Sequence, residues 1–512
     1  MLLSSFLDSP RARRFLHCLI VAASVAFAVF FLYASLKRMV YPFELERVES
    51  GVLISMLRAL HGQPIYVAPT VDYVPYLYAP VFYYLAAALT KITGIAGHGY
   101  AADRLLSILA TIGSAACIYG LTLTTTRRRI AGIAAAGLFF ACYPVLDTFY
   151  DVGRVDSLVV FFLLLALLLQ RRGYPILAAV VWAIAFQTKQ SVLPIGIVIL
   201  CAEWPRRKQV FLSLATLLGL AAISVMLMNH AAHGWYNFYL FHIAGALPFL
   251  VRQATLFFPQ MLEPMAVAWA ILFAAIILTL KTPLGAAGRF FAIVSIVLYG
   301  MIWFVASHAG ASKNALIPLF AWTAVLFGIA FARLLDYAES TDSSRATTVI
   351  LGAVAVQLLA LLYNPRTLLP NAEATQALQR VVAQVQALPG DVYVFDHNYD
   401  AVMAGKPPHA EGEALHSFAG PISQHLEQDL DQQVAAHRYT AIAIDDAAPD
   451  TSWRNFRKDY PLAVSLRMNG FYFPGPEPRW LLFPCDVSPA TLQALSPQPL
   501  VIDYGTCKPP QP

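Results

Sequence analysis

Long apolar runs, separated by short clusters of basic residues, fill the first 363 residues of the chain. The first run, at 15–36, is 22 residues long, and about 20 apolar residues form a helix that crosses the hydrocarbon core of a bilayer. No small-residue cleavage site with a polar sequence behind it follows, so we expect an anchor and not a removed signal peptide. Eleven runs are predicted to span the membrane: 15–36, 104–123, 130–146, 157–169, 175–187, 191–202, 210–228, 264–280, 290–307, 315–332 and 346–363.

The basic clusters fall in alternate connections between these runs, at 127–129, 171–172, 206–208, 281–289 and 333–345. Cytoplasmic loops of membrane proteins carry an excess of lysine and arginine, so we place all five clusters on the cytoplasmic side. The N-terminus is then cytoplasmic and the C-terminus lies outside. A tyrosine-rich run at 77–95 would reverse this arrangement if it crossed the membrane, and it is therefore predicted to lie on the outer surface.

The composition agrees with a membrane protein. Hydrophobic residues make up 58% of the chain and charged residues 13%, with a mean hydropathy of +0.60. One soluble core could not hide so much apolar surface, so most of it is predicted to face the lipid bilayer. The net charge of +5 comes from short clusters between apolar runs, which indicates membrane topology and argues against a nucleic-acid partner.

The chain becomes polar after Tyr363. Two runs typical of buried strands, 391–396 and 440–445, each follow a helical pattern, and a third strand is expected at 480–484. We therefore expect a transmembrane domain at 1–363, with an outer loop at 37–103, and a soluble extracytoplasmic α/β domain at 364–512. This domain has no Gly-rich phosphate loop or nucleophile elbow. Cys485 and Cys507 are a candidate disulfide if the domain is exported.

The first outer loop holds the densest group of polar residues. If 45–60 is helical, Glu46 and Glu49 share one face of that helix. Two neighbouring carboxylates, with Glu44 close by, can divide the roles of proton acceptor and substrate or metal ligand, because proximity separates their pKa values. The alternative is that the three glutamates neutralise Lys37, Arg38 and Arg47 at the interface.

Three further outer connections carry polar residues. Asp151, Arg154 and Asp156 form either a solvated turn or an acidic site whose arginine faces a phosphate. Lys189 and Gln190 lie between two runs that are too short to cross the bilayer alone, and a lysine at that depth needs an anionic partner, a cavity, or a path to the interface. The turn with His308, Lys313 and Asn314 is either an ordinary loop or a site that binds an anion through backbone N–H groups and Lys313.

Nucleotide sugars and ATP are absent from the outer side of the membrane. An enzyme whose site lies on that side therefore needs an activated donor that is carried by the membrane.

Seven stretches follow one another along about the first 330 residues: 44–51, 60–66, 76–84, 103–107, 151–158, 188–190 and 310–318. In order and spacing, they resemble the GT-C superfamily of membrane glycosyltransferases, in particular protein mannosyltransferases and lipid A aminoarabinose transferases. The resemblance implies a polyprenyl-phosphate-linked sugar as donor, a glycan, lipid or protein acceptor in the cell envelope, and inverting displacement. It also implies a multi-pass protein of the bacterial inner membrane.

The resemblance also assigns roles to residues. Glu49 corresponds to the general base, and because Val48 stands where the family has a second acid, Glu46 or Glu44 supplies the other carboxylate. Candidates for binding the leaving phosphate are Arg104, Arg154, Lys189, Gln190 and Lys313, and Asp151 or Asp156 is the alternative holder of a divalent metal. Tyr66, His308 and Asn314 complete the expected outer-face site.

The predicted fold is therefore an α-helical polytopic membrane protein of about 11 transmembrane helices with a C-terminal soluble α/β domain. Two other functional classes stay open at this point. A transporter would carry inverted repeats and ionisable residues near the midplane, whereas here the charges collect at one surface. A non-enzymatic envelope assembly protein would tolerate the loss of Glu49.

Overall fold

The computed structural model describes residues 7–95, 99–202, 206–279, 285–418, 421–445, 456–466, 480–495 and 501–508. Residues 280 and 281, assigned above to the end of a predicted span and to a basic cluster, lie outside these ranges. The membrane-embedded part is helical. In chain order its helices are α1 (Pro10–Met39), α2 (Glu49–Leu60), α3 (Val81–Thr93), α4 (Ala101–Thr126), α5 (Arg129–Ala141), α6 (Val155–Arg171), α7 (Pro175–Phe186), α8 (Leu193–Cys201), α9 (Arg207–Ala231), α10 (Val251–Leu262), α11 (Ala266–Thr279), α12 (Ala286–Ala306), α13 (Ile317–Ser340) and α14 (Ser344–Ala360), with a short helical stretch at 235–246.

Six helical segments in the described ranges are long and apolar enough to cross a membrane. They are α1, α4, α9, the run through α10 and α11, α12, and α13 with its preceding turn. A seventh is added if α14 and the helical segment after it, bent by 43°, form one broken span. The other predicted spans coincide with α5 to α8, which are 9 to 17 residues long. The predicted count of eleven is therefore not confirmed.

The helices differ in how much of their surface the rest of the protein covers. In α13, 89% of the most apolar window is buried, whereas the corresponding values are 28% for α1 and 22% for α9. Large apolar side chains stand exposed on the outer helices, among them Phe211, Met226 and Ile296. Water-soluble proteins rarely expose apolar surface on this scale. The α13 helix therefore lies at the centre of the bundle. The exposed apolar side chains of the outer helices are suited to contact with lipid.

The predicted helix at 45–60 is shorter than expected. The α2 helix begins only at Glu49, and residues 44–48 form turns ahead of it. The cause is local, because the Glu49 carboxylate accepts a hydrogen bond from the backbone N–H of Leu45 at 2.6 Å and closes the turn. The expectation that Glu46 and Glu49 share one helical face was therefore wrong. The run at 77–95 contains α3, whose 13 residues reach about 20 Å, and its placement on the outer surface stays a prediction.

The C-terminal part is an α/β domain. Its elements are α15 (Ala372–Ala387), β1 (Val392–Val394), α16 (Asn398–Met403), α17 (Gly412–His416), α18 (Pro421–Ala435), β2 (Ala441–Ile444), β3 (Leu462–Ser465), β4 (Trp480–Phe483), α19 (Pro489–Ala494) and β5 (Val501–Asp503). The five strands form one sheet in the order β1-β2-β4-β3-β5. The strands β1 and β2 pair in parallel, and the other neighbours are antiparallel. Cys485 and Cys507 form a disulfide, so the candidate bond is present.

The α/β domain packs on one end of the helix bundle, which we call the domain face. Helix α1 begins near Arg13 at the opposite end, the basic face, and ends beside Arg38 at the domain face. Its 30 residues separate the two ends by about 45 Å. The candidate site residues lie at the domain face.

Candidate active site

Glu49 and Arg104 form a fully buried ion pair under the domain face, with 0% exposure of both side chains. The guanidinium donates to both carboxylate oxygens, at 3.0 and 2.8 Å, and to the backbone carbonyls of Arg38, Tyr41 and Phe43 at 2.5 to 3.0 Å. These contacts engage all three guanidinium nitrogens and leave no donor for a ligand.

The Glu49 carboxylate also has several hydrogen-bond donors. Besides Arg104, it accepts hydrogen bonds from the backbone N–H groups of Leu45 and Gly153, both at 2.6 Å. Gly153 has to be a glycine for this approach, because a Cβ there would lie 2.9 Å from Cβ of Asp103. Burial would raise the pKa of Glu49, but Arg104 and the two backbone donors hold it below its ordinary value. We call this pair with its backbone donors and acceptors the sealed pair.

A second group of charges lies in the same region and is more open. Arg154 donates to Glu46 at 2.7 Å and to the hydroxyl of Tyr78 at 3.0 Å, and its Nε lies 3.3 Å from Asp156. Lys189 donates to the other Asp156 oxygen at 2.7 Å. The side chains of Glu46 and Lys189 are 15% and 18% exposed. We call Glu46, Arg154, Asp156, Lys189 and Tyr78 the open cluster.

Backbone geometry brings the open cluster together. Arg154 is the extended residue just before α6, and Asp156 stands in the first turn of that helix. Lys189 lies in the break between α7 and the short turn that precedes α8. It therefore has the anionic partner that its depth demands. Gln190 hydrogen-bonds elsewhere: its amide donates to the carbonyls of Leu77 and Leu240 and so joins the segment before α3 to the helical stretch at 235–246.

The turn after α12 touches the open cluster through one residue. The side chain of Asn314 hydrogen-bonds to Asp156, and its oxygen Oδ1 accepts from the backbone N–H and the hydroxyl of Ser312. Lys313 pairs with Asp147 at 2.8 Å and is 37% exposed. His308 packs against Phe304 and hydrogen-bonds to its carbonyl, so it contributes no group to the cluster.

Tyr66 contacts the backbone of one residue of the open cluster: its hydroxyl donates a hydrogen bond to the carbonyl of Tyr78 at 2.6 Å. Its ring packs edge-on against Tyr236. Tyr66 therefore holds the backbone of the tyrosine that contacts Arg154.

Glu44 has a different partner, His397 of the α/β domain. One imidazole nitrogen hydrogen-bonds to Glu44 and the other to Asp445 at 2.7 Å. Burial would lower the pKa of His397, but the two carboxylates raise it well above its ordinary value. Burial raises the pKa of Glu44 to about 8, against the opposing effect of His397. The imidazole therefore joins the segment before α2 to the α/β domain.

A second histidine and a glutamate of the α/β domain also contact the first outer loop. His409 lies between Asp72 and Asp391 at 2.9 Å from each. Glu411 accepts hydrogen bonds from the hydroxyls of Ser50 and Tyr76, at 2.9 and 2.7 Å. The α/β domain is thus joined to the first outer loop by the buried hydrogen bonds of Glu411 and by the partly exposed contact of His409 with Asp72.

Sequence reasoning missed the domain side of these contacts. A signal was present: the parallel strands β1 and β2 bring the ends of the predicted strands 391–396 and 440–445 to the same edge of the sheet, and polar residues follow there. His397 and Asp445 stand at those two ends. Tyr78, which contacts Arg154, lies in the tyrosine-rich run at 77–95 but was not among the predicted site residues.

The two aspartates proposed for a divalent metal do not form a joint site. Asp151 pairs with Arg38 at 2.7 Å, both side chains being 1% exposed, and Asp156 is held by Arg154 and Lys189. In the described ranges, no three His, Cys, Asp or Glu side chains are grouped to hold a metal ion. Each aspartate is already paired with a cationic side chain, and such a site does not fit a divalent metal. The mechanism that we propose therefore involves no metal.

Searches of known proteins gave matches in structure alone. No protein-family model and no curated protein matches the sequence. ArnT from Cupriavidus metallidurans in its apo state is 13% identical, with 90% of this chain and 97% of that chain covered at a TM-score of 0.57. The same protein bound to undecaprenyl phosphate gives 12% identity, the same coverage of both chains and a TM-score of 0.56.

The archaeal oligosaccharyltransferase AglB from Archaeoglobus fulgidus, in complex with an inhibitory peptide and a dolichol-phosphate, is 12% identical. The match covers 94% of this chain and 75% of that chain at a TM-score of 0.52. ArnT and AglB both belong to the GT-C superfamily, so the predicted resemblance is confirmed at the level of the fold. The chain is a multi-pass membrane protein with the GT-C fold and a C-terminal α/β domain.

Proposed function

We propose that this protein is a membrane glycosyltransferase that moves a sugar from a polyprenyl-phosphate carrier to an acceptor in the cell envelope. One observation carries the proposal: a carboxylate, a guanidinium and an ammonium group lie side by side in the open cluster, on a fold surrounded by lipid. The undecaprenyl phosphate and dolichol-phosphate bound to ArnT and AglB support a lipid-linked donor of this kind.

The cations of the open cluster suit the phosphate of such a donor. Arg154 and Lys189 are oriented by Asp156, which contacts both. When the sugar leaves its carrier, negative charge develops on the phosphate oxygen, and fixed cations in a poorly hydrated site stabilise that charge strongly. Lys313 lies on Asp147 and is assigned a supporting role at the edge of the site.

Glu46 is our candidate for the general base, in place of Glu49. Burial raises the pKa of Glu46 above its ordinary value, although Arg154 lowers it, which suits a proton acceptor. Glu46 takes the proton of the acceptor hydroxyl, and the oxygen attacks the anomeric carbon. The bond from that carbon to the phosphate oxygen breaks, polyprenyl phosphate leaves, and the configuration at the anomeric carbon is inverted. Glu44, bound to His397, is the second candidate.

Further assignments belong to the same proposal. We place the domain face outside the bacterial inner membrane and the N-terminus in the cytoplasm, following the distribution of basic clusters. We take 1–363 as the transmembrane domain and 364–512 as the domain that covers the acceptor side.

The experiment is mass spectrometry of envelope glycolipids, polysaccharides and proteins from a deletion strain complemented with wild type, Glu46→Gln, Asp156→Asn or a control. Glu373→Gln is the control, because Glu373 is exposed on α15. We expect one sugar modification to vanish on deletion and to return with wild type and the control alone. Normal modification by Glu46→Gln and Asp156→Asn at wild-type protein levels would contradict the assignment of the open cluster.

A further inference from the structure

The basic face carries a cavity that lies far from the open cluster. Its volume is about 480 Å³, and it lies between the starts of α1 and α5, the end of α13 and the start of α14. Arg13 and Arg14 of α1 line it, together with Arg128. Since α1 spans the distance between the two faces, this cavity is separate from the proposed site of sugar transfer.

The charge of the cavity is positive and incompletely neutralised. Glu339 is its single acidic lining residue, and both carboxylate oxygens accept from Arg128, at 2.9 and 2.5 Å. Asp8, a nearby carboxylate, is held by Arg345 at 2.9 Å. Arg128 also pairs with Asp336 at 2.7 Å, and Arg13 acts electrostatically on Asp8, but within the described ranges no acidic group lies within 4.0 Å of the guanidinium of Arg13 or Arg14. The two arginines therefore leave a net positive charge for a ligand to balance.

The walls below these arginines are apolar. Ile130, Leu335 and Leu351 line the cavity on the side of the bundle. Phe15, next to Arg14, is 62% exposed on the outward side of α1. A cationic rim above an apolar wall, opening between transmembrane helices, matches the phosphate and the first acyl carbons of a phospholipid.

We propose that this cavity binds the headgroup of an anionic phospholipid from the adjoining membrane leaflet. The bound lipid bridges α1 to α13 and α14, so it stabilises the folded bundle and takes no part in sugar transfer. The inference is independent of the proposed function, because it rests on the charge and shape of the opposite face.

The test is the thermal unfolding of the purified full chain in detergent with added phosphatidylglycerol, phosphatidylcholine or inorganic phosphate. A ligand that binds only the folded state raises Tm by mass action, here by about 2 °C or more at saturating phosphatidylglycerol. We expect phosphatidylcholine and inorganic phosphate to give less than half of this shift. An equal shift with either of them would overturn the proposal.

The variant Arg13→Gln/Arg14→Gln should lose at least half of the phosphatidylglycerol shift. The control Arg129→Gln/Arg333→Gln removes two exposed arginines of the same face that do not line the cavity, and it should keep the full shift. Should the double variant fold poorly, the single Arg14→Gln variant, which changes an exposed side chain, is examined by native mass spectrometry for retained phosphatidylglycerol. Retention equal to wild type would overturn the proposal.

Discussion

Two glutamate–arginine pairs lie at the domain face, and their glutamates come from one short segment, three positions apart in the chain. In the sealed pair, Glu49 and Arg104 are wholly buried and backbone groups take up their remaining hydrogen-bonding capacity. In the open cluster, Glu46 is partly exposed and its arginine is shared with Asp156 and Tyr78. The two pairs use the same residue types, so burial and the saturation of hydrogen bonds distinguish the pair to which we assign a structural role from the one to which we assign a chemical role.

The largest effect that we expect is on the rate of transfer by Glu46→Gln. Removing a general base costs about 10²- to 10⁴-fold in rate, while the neutral amide keeps a hydrogen bond to Arg154. Transfer is measured with purified protein and a polyprenyl-phosphate-linked sugar. In wild type the rate should fall as pH drops through the raised pKa of Glu46, and this acidic limb should be absent from the residual activity of the variant.

The Glu49→Gln variant should instead lose stability. It leaves the guanidinium of Arg104 buried without its counter-charge, and breaking a buried pair in this way costs about 3–5 kcal/mol. The measurement is the unfolding midpoint in detergent, with Glu373→Gln as the exposed control. Wild-type stability in Glu49→Gln would refute the structural role of the sealed pair.

Lys189→Gln should have a smaller effect, on use of the donor. It removes one of two cations proposed to face the phosphate, and we expect kcat/KM for the lipid-linked sugar to fall by about tenfold or more. Lys313→Gln should lose less, because its amine lies on Asp147. Lys91→Gln, at an exposed position on α3, is the control. A greater loss with Lys313→Gln than with Lys189→Gln would move the phosphate site toward the 307–314 turn.

The smallest effect concerns pH and the attachment of the α/β domain. The folded-state pKa of His397 is raised, so its stabilising contribution is complete below the unfolded value of about 6.5 and is lost as pH rises through the folded value. Glu44, with a folded pKa of about 8, acts in the same direction.

We therefore expect Tm to fall as pH rises from about 6.5 toward 9, and His397→Gln should flatten this slope while His425→Gln, at an exposed position, keeps it. Besides Glu44 and Asp445, the groups that act electrostatically on this contact or on its neighbours include Asp396, Asp400, Glu49, Glu413 and Arg47. Burial raises the pKa of each of these two aspartates to about 6, so their contributions change at lower pH. An unchanged slope in His397→Gln would remove His397 from this role.

Much of the helical architecture follows from the sequence, because apolar runs of sufficient length need no tertiary information. The short helices α5 to α8 show where this fails: length alone does not tell whether 9 to 17 residues cross a membrane. The beginning of α2 was misplaced because it depends on the Glu49 carboxylate, a side chain that helical periodicity treats as merely polar.

For the site, the sequence points to the right segments but not to the partners. Glu49 and Arg104 are 55 positions apart, and Glu44 and His397 are 353 apart. Which acid meets which cation is decided by the packing of α2, α4 and the α/β domain. Periodicity and spacing therefore gave three candidate glutamates without ranking them, and the resemblance favoured Glu49. Exposure and hydrogen-bond partners are the grounds on which we propose Glu46 instead.

The most direct test of this account is the single-turnover rate of sugar transfer per folded molecule for Glu46→Gln and Glu49→Gln, at equal donor occupancy and at a temperature where both variants are folded. The account predicts that Glu46→Gln is slowed by about 10²-fold or more and that the folded fraction of Glu49→Gln turns over within about tenfold of wild type. A folded, donor-bound Glu49→Gln protein that is inactive beside an active Glu46→Gln protein would contradict it and return the role of the base to Glu49.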